Sequence, residues 1–287
     1  LANDIYVYRR LAHHLVPSRI SGLYASRFLL LVLVVCGFML FMPRRLKVLR
    51  RFYFFTMGVL GVMAVGLGLS LLSSYYPTET ASLLRFYWFR LSDVVVPVTL
   101  AVSFSTLVVV LLPRRRWLGV ALCTAGVLVA VWGLFLTVRS RFEHPYPPAV
   151  RMFPYEGWRE ACRWIVESGE IPEDARFLTP RLNQTFRWYT GRGEVANWKD
   201  VPQDARSMVD WWNRIRHIHG VYNQPLWNDY LFIHDNYSID RVATRLCDLG
   251  RIYGASYAIM RRSDPLLPLP IIYPKKFKEF DAWVIYD

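Results

Sequence analysis

Four long apolar runs fill the first half of the chain, and amphipathic stretches fill the second. The runs are Leu23–Met42, Phe52–Ser73, Leu91–Leu112 and Trp117–Val138, interrupted only by Arg27 and Asp93 near the starts of the first and third. Crossing a hydrocarbon core of about 30 Å takes roughly 20 helical residues, so each run predicts a membrane-spanning helix. The first is not read as a signal peptide, because three more runs follow it and no small-residue cleavage site does.

Before the first run, residues 3–16 (NDIYVYRRLAHHLV) place Ile5, Tyr8, Ala12 and Leu15 on one helical face, with Asn3 as a candidate cap. This predicts a short amphipathic helix lying in the membrane interface. Gly58, Gly61, Gly66 and Gly68 in the second run allow close helix approach.

After the runs, EHPYPPAV (143–150) has three prolines and reads as an extended linker. Helical periodicity then marks Gly157–Ser168, Ala205–His219 and Ile239–Tyr253, and short strands are predicted at 176–179, 194–198, 256–260, 271–273 and 282–286. The last two should pair antiparallel at one edge. The predicted fold class is therefore a four-helix transmembrane bundle followed by a small α/β domain with a mixed sheet. Its expected divisions are an interfacial segment (1–22), the four-span region (23–139), a Pro-rich linker (140–150) and the α/β domain (151–287).

Charge changes the picture most. The chain has 287 residues and a net charge of +13, which by itself invites a nucleic-acid reading. Residues 1–139 hold 15 Lys and Arg against Asp4, Glu79 and Asp93, whereas residues 140–287 are nearly neutral. The excess belongs to the half with the spans, so nucleic acid is not an expected partner and membrane lipids are. PRRLKVLRR (43–51) and PRRR (113–116) hold eight of these basic residues, and the loop around 74–84 (SYYPTETASLL) holds none. The positive-inside rule then places both basic loops in the cytoplasm and both termini, with the α/β domain, outside it. Arg9, Arg10 and Arg19 count against that orientation. A chain beginning at Leu1, outside the membrane, reads as a fragment or processed product.

Candidate chemistry is sparse. Phosphate-cradling glycine loops and nucleophile elbows do not occur. His217 and His219 are two apart and point to different helix faces, so they are read as surface histidines and no metal site is expected. Cys162 and Cys247 lie on apolar helix faces, as core thiols or as a disulfide. Trp211 and Trp212 in DWWNR fit a core face. Asn183 and Asn236 head glycosylation sequons.

In LRFYWFRLSD (84–93), Arg90 and Asp93 share a face near the outer end of the third span. They form either a structural pair marking a lipid-phosphate site or an aromatic belt with a snorkelling arginine. His13 and His14 are candidate phosphate contacts on the same side, or bland interfacial residues. Arg187, Arg192 and Lys199 bracket the second strand of the α/β domain, where open sheets place ligands. The alternative there is a solvated sheet edge.

RLAHHLVP, FYWFRLSD and FLTPRLNQTFRWYTGRGEVANWKDVP together resemble the C-terminal part of large bacterial multi-pass membrane proteins similar in layout to GT-C glycosyltransferases. That resemblance implies an inner-membrane protein that transfers sugar from a polyprenyl-phosphate donor. It also implies catalytic acids in an early outside loop, which this chain does not match; any divalent metal would depend on that loop. A non-catalytic membrane-anchored binding or assembly module is the competing expectation, and a transporter is a weaker third.

Overall fold

The structure, a computed structural model, describes residues 1–41, 46–143, 155–219, 238–262, 265–276 and 282–287. The chain divides into two compact units, Leu1–Phe142 and Glu143–Asp287.

The first unit holds four helices long and apolar enough to cross a membrane. In chain order the unit's α-helices are α1 (Ala2–Asp4), α2 (Ala12–Leu15), α3 (Gly22–Phe41), α4 (Lys47–Leu72), α5 (Pro77–Leu84), α6 (Arg90–Leu111) and α7 (Arg116–Glu143). The spans are α3, α4, α6 and α7. α4 starts five residues before the expected run and takes in Lys47, Arg50 and Arg51; α7 extends five residues beyond it, into the segment assigned to the linker. Residues 144–150 of that linker lie outside the described residues.

α6 is the central helix, packing against both α3 and α4. It buries Val95, Val96 and Val108, together with Ser92, Thr99 and Ser103. Buried hydroxyls need partners in a dry interior. The Thr56 and Thr99 hydroxyls lie 2.8 Å apart, and those of Tyr53 and Ser103 lie 2.9 Å apart, tying α4 to α6. Ser103 also donates to the Thr99 carbonyl one turn back. Of Thr56 and Thr99, one donates to the carbonyl one turn back in its own helix (Phe52 or Val95) while the other donates across the pair.

Of the four glycines in α4, only Gly66 lies against a neighbour: a Cβ there would fall 2.5 Å from Trp88 Cβ. Gly58, Gly61 and Gly68 face open space, so their predicted packing role does not hold.

The segment before α3 differs from a regular amphipathic helix. Ile5–Arg10 is a π-helical stretch, ended where the Leu11 N–H donates to the Tyr6 carbonyl. Widening the turn rotates the inward face, so Ile5, Val7 and Leu15 are buried and Tyr8 is not. Asn3 does not cap; its side chain accepts from Arg85 at 3.0 Å. The loop expected at 74–84 folds into α5, started by Pro77 at its first turn. Val7, Leu15, Val16, Ala81 and Leu84 form a small core that fastens the N-terminal segment to α5.

The second unit carries α8 (Tyr155–Glu167), α9 (Phe186–Thr190), α10 (Ala205–His219) and α11 (Ile239–Tyr253). Its strands are β1 (Arg176–Leu178), β2 (Gly193–Glu194), β3 (Tyr257–Arg261), β4 (Ile271–Tyr273) and β5 (Trp283–Tyr286). They make one mixed sheet in the order β2-β1-β3-β5-β4. β1 pairs parallel with β2 (Phe177 beside Glu194) and with β3 (Phe177 beside Tyr257). β5 pairs antiparallel with β3 and with the edge strand β4, as the sequence predicts.

α8 covers one face of the sheet, burying Trp158, Ala161, Cys162 and Ile165. Trp158 meets Trp283 edge-on with ring centroids 4.9 Å apart, and Phe177, Phe186 and Ile259 complete that core. On the other face, Leu246 and Gly250 of α11 lie beside Leu178, Ala258 and Tyr286. α11 begins at Ser238, whose hydroxyl accepts from the Arg241 N–H, and ends at Gly254, whose φ of 63° suits glycine.

Candidate functional site

Two places gather polar side chains: one end of the bundle, and the carboxyl ends of β1 and β2.

At the bundle end, the π-helical stretch and the turn before α6 are brought together by tyrosines. The Tyr6 and Tyr87 hydroxyls lie 3.1 Å apart, while the Tyr8 hydroxyl donates to the Pro77 carbonyl and meets the Thr80 hydroxyl at 2.8 Å. Burial, together with the Tyr87 contact, pushes the Tyr6 phenol up to about 12, so it stays a neutral hydroxyl. Tyr87 has φ of 56°, a left-handed conformation that costs a non-glycine residue about 1–2 kcal/mol. The bend lets Trp88 reach back, where its indole N–H donates to the Leu83 carbonyl at 2.7 Å.

Charged groups surround this contact. Arg10 is half-buried, and its positive charge is felt at Tyr6 and at His13. Arg90 is exposed, with its guanidinium carbon 5.6 Å from the centre of the Tyr87 ring. The charges of Arg90 and His14 both act on Asp93. His13 and His14 are exposed, with ring centroids 4.0 Å apart. Partial burial, then the charges of His14 and Arg10, hold His13 below the ordinary histidine range. The structure therefore gathers His13, His14, Arg90 and Asp93 at one end of the bundle and adds Arg10, Tyr6 and Tyr87. Sequence reasoning overlooked those three because neither the π-turn nor the left-handed Tyr87 is visible in the apolar periodicity.

In the second unit, β1 runs into Thr179 and β2 into Asn197. The Glu194 carboxylate accepts from the Thr179 hydroxyl and from the Asn197 amide, each at 2.8 Å. Desolvation raises its pKa, opposed by these two hydrogen bonds. The Asn197 carbonyls accept from Lys199 N–H through the side chain and from the Trp211 indole through the backbone. Arg181 is buried with its guanidinium carbon 5.4 Å from the centre of the Trp198 ring.

Of the expected residues, Arg187 lies close enough for its charge to act on Glu194. Arg192 instead reaches the Ile171 carbonyl at 3.3 Å, and Lys199 joins the cluster through its backbone N–H. Phe186–Thr190, for which the sequence pattern predicts no element, is the helix α9. The strand expected over 194–198 is cut to Gly193–Glu194, because Asn197 and Trp198 turn inward to bond and pack.

Two histidine and cysteine expectations change, those for His219 and Cys247. His219 is buried, not on the surface, and burial aided by Arg181 pushes it down to about 3, keeping it neutral. His217 meets the Tyr253 hydroxyl at 2.8 Å. Cys162 and Cys247 are both free; Cys162 is a core thiol but Cys247 is exposed, so the second does not belong to a core face. Trp211 and Trp212 are buried, as read from the sequence. Asn183 is only 7% exposed, which leaves its sequon no room for a glycan in the folded unit; Asn236 lies outside the described residues. Among the described residues, no three His, Cys, Asp or Glu side chains converge on a point that would hold a metal ion.

Residues 156–218, from α8 through nearly all of α10, match the model of a domain of unknown function, DUF6798. No curated protein and no solved structure matches the chain significantly. The matched stretch contains the whole Thr179–Glu194–Asn197 cluster. The chain thus joins four helices long and apolar enough to cross a membrane to a mixed-sheet unit, part of which matches that domain model.

Proposed function

We propose that the chain is the donor-binding part of a GT-C-like membrane glycosyltransferase. In this reading the end of the bundle formed by the π-helical stretch, α5 and the start of α6 faces outside the cytoplasm. There it holds the phosphate of a polyprenyl-phosphate-linked sugar. The observation that carries the reading is the convergence of Arg10, Arg90, His13 and His14 around the Tyr6–Tyr87 contact. Guanidinium and imidazolium groups suit a phosphate in charge and hydrogen-bond geometry. Apolar helix surface beside them suits a polyprenyl chain. The α/β unit follows the fourth span and would work on the same side, shaping the acceptor.

The test is Arg90→Leu in the full-length protein. Sugar transfer from the polyprenyl-phosphate donor should be abolished while membrane insertion is unchanged; retained transfer removes the phosphate role. Orientation is tested separately by cysteine accessibility. Labelling of positions 44–51 from outside the cell would overturn it.

A second reading, a non-catalytic binding module, draws on Glu194. Both of its oxygens already accept hydrogen bonds from Thr179 and Asn197, which makes it a structural clamp rather than a ready general base. Donor binding without any transfer would favour that reading.

A further inference from the structure

The opposite end of the bundle carries a second feature. α6 stops at Leu111, and the Arg114 and Arg115 N–H groups both donate to its carbonyl, at 3.0 and 2.7 Å. The Arg115 carbonyl in turn accepts from Leu118 and Gly119, at 2.9 and 3.0 Å, starting α7. Gly119 is required where the two helices meet, because a Cβ there would fall 2.9 Å from the Leu112 backbone nitrogen. The turn is thus held at both ends by its own backbone.

It frames an open groove of about 770 Å³ lined by Arg114, Arg115, Arg116, Trp117, Val120 and Ala121. Its lining combines three arginines with an indole, 72% exposed, and small apolar side chains. Arg114 spends one N–H on the Val110 carbonyl at 3.0 Å. Arg115 and Arg116 are exposed, without a side-chain hydrogen bond or ion pair among the described residues. Lys47, Arg50 and Arg51 stand exposed at the start of α4, on this same end. The acids of the unit, Asp4, Glu79 and Asp93, all belong to the other end.

We propose that this groove binds the headgroup of an anionic phospholipid. The arginines would take the phosphate, Trp117 would sit at headgroup level, and the acyl chains would run along the exposed apolar flank of α7 from Val120 through Val127 to Leu134. The positive-inside rule accounts for basic residues on a loop, but not for a backbone-held turn that sets three arginines beside an exposed indole and an exposed apolar helix flank. A free phosphate would use the arginines and leave the indole and the apolar flank without a role, so the lipid is the occupant these features fit. The site is independent of the donor-phosphate site, at the opposite end of the bundle.

The experiment uses the purified full chain in detergent, with lipid occupancy read by native mass spectrometry. The probes are phosphatidylglycerol, phosphatidylcholine and inorganic phosphate. The wild type should retain one phosphatidylglycerol selectively. Arg115→Lys with Arg116→Lys keeps the charge, and hence the insertion signal, but removes bidentate phosphate contacts; it should lower occupancy about fivefold. Arg50→Lys with Arg51→Lys, the same change outside the groove, should leave occupancy within twofold. If the groove variant fails to fold, Val120→Trp fills the groove while keeping all three arginines, and should lower occupancy similarly. Equal retention of phosphatidylcholine, displacement by inorganic phosphate, or equal loss in both arginine pairs would overturn the proposal.

Discussion

The Tyr6 hydroxyl lies 3.1 Å from the Tyr87 hydroxyl, joining the π-helical stretch to the left-handed turn that opens α6. The pair fixes where Arg10 and Arg90 stand, so it is a positioning contact for the proposed phosphate site. Tyr6→Phe removes one hydroxyl and leaves the other without this partner. It should loosen the N-terminal segment by about 1 kcal/mol, seen as faster amide exchange over residues 5–15 with exchange in α4 unchanged. Unaltered exchange would show that the apolar contacts of Val7 and Leu15 suffice.

His13 gives the donor site a pH dependence. In the free protein its pKa lies below 6.5, held down by partial burial and by neighbouring positive charge. A bound phosphate favours the protonated imidazole, so binding is accompanied by proton uptake. Affinity for the donor should therefore rise as pH falls through the histidine range, and His13→Gln should flatten that rise. Isothermal titration in two buffers of different ionisation enthalpy measures the proton uptake directly.

Gly66 and Gly61 make opposite predictions within one helix. Alanine at 66 would collide with Trp88 Cβ and should cost about 1–3 kcal/mol, whereas alanine at 61 meets nothing and should be neutral or add up to about 1 kcal/mol. Thermal unfolding of the two variants in the same detergent decides it.

These positions also show what was legible in the sequence. The four spans were, because twenty apolar residues in a row have few other uses, and the three amphipathic helices of the second unit were, because their apolar faces recur every three or four residues. Gly66 was not distinguishable from Gly61, since its partner Trp88 lies beyond α4. The helix α9 was hidden by its brevity, and the inward turn of Asn197 and Trp198 by contacts with Trp211 and Arg181, which lie well outside the expected strand. His13, His14 and Arg90 could be named as candidates from their residue types and shared side of the membrane. Their companions Arg10 and Tyr87 depend on backbone geometry that no periodicity encodes.

Burial of neutral His219 links the second unit to acid. A histidine whose folded pKa is about 3 against an ordinary 6.5 leaves the unfolded state binding more protons between those values. That contribution is complete above about pH 6.5 and is lost as pH falls toward 3. His219→Leu should make tryptophan-monitored unfolding of this unit less sensitive to pH in that window. An unchanged slope would mean that His219 is charged or exposed.

Thiol reactivity separates the two cysteines of the second unit. Burial pushes the Cys162 thiol up to about 12, and Cys247 is exposed. Maleimide should label Cys247 in the native protein and Cys162 only after denaturation. Protection of both would contradict the exposure of Cys247.

The donor site is tested most directly by photocrosslinking a diazirine-bearing polyprenyl-phosphate sugar to the full chain, then mapping the adduct by peptide mass spectrometry. With the diazirine next to the phosphate, the label should fall within residues 6–14 or 85–93 and be lost in Arg90→Leu. Labelling that concentrates on the second unit or at residues 114–121, or that persists unchanged in Arg90→Leu, would contradict the site.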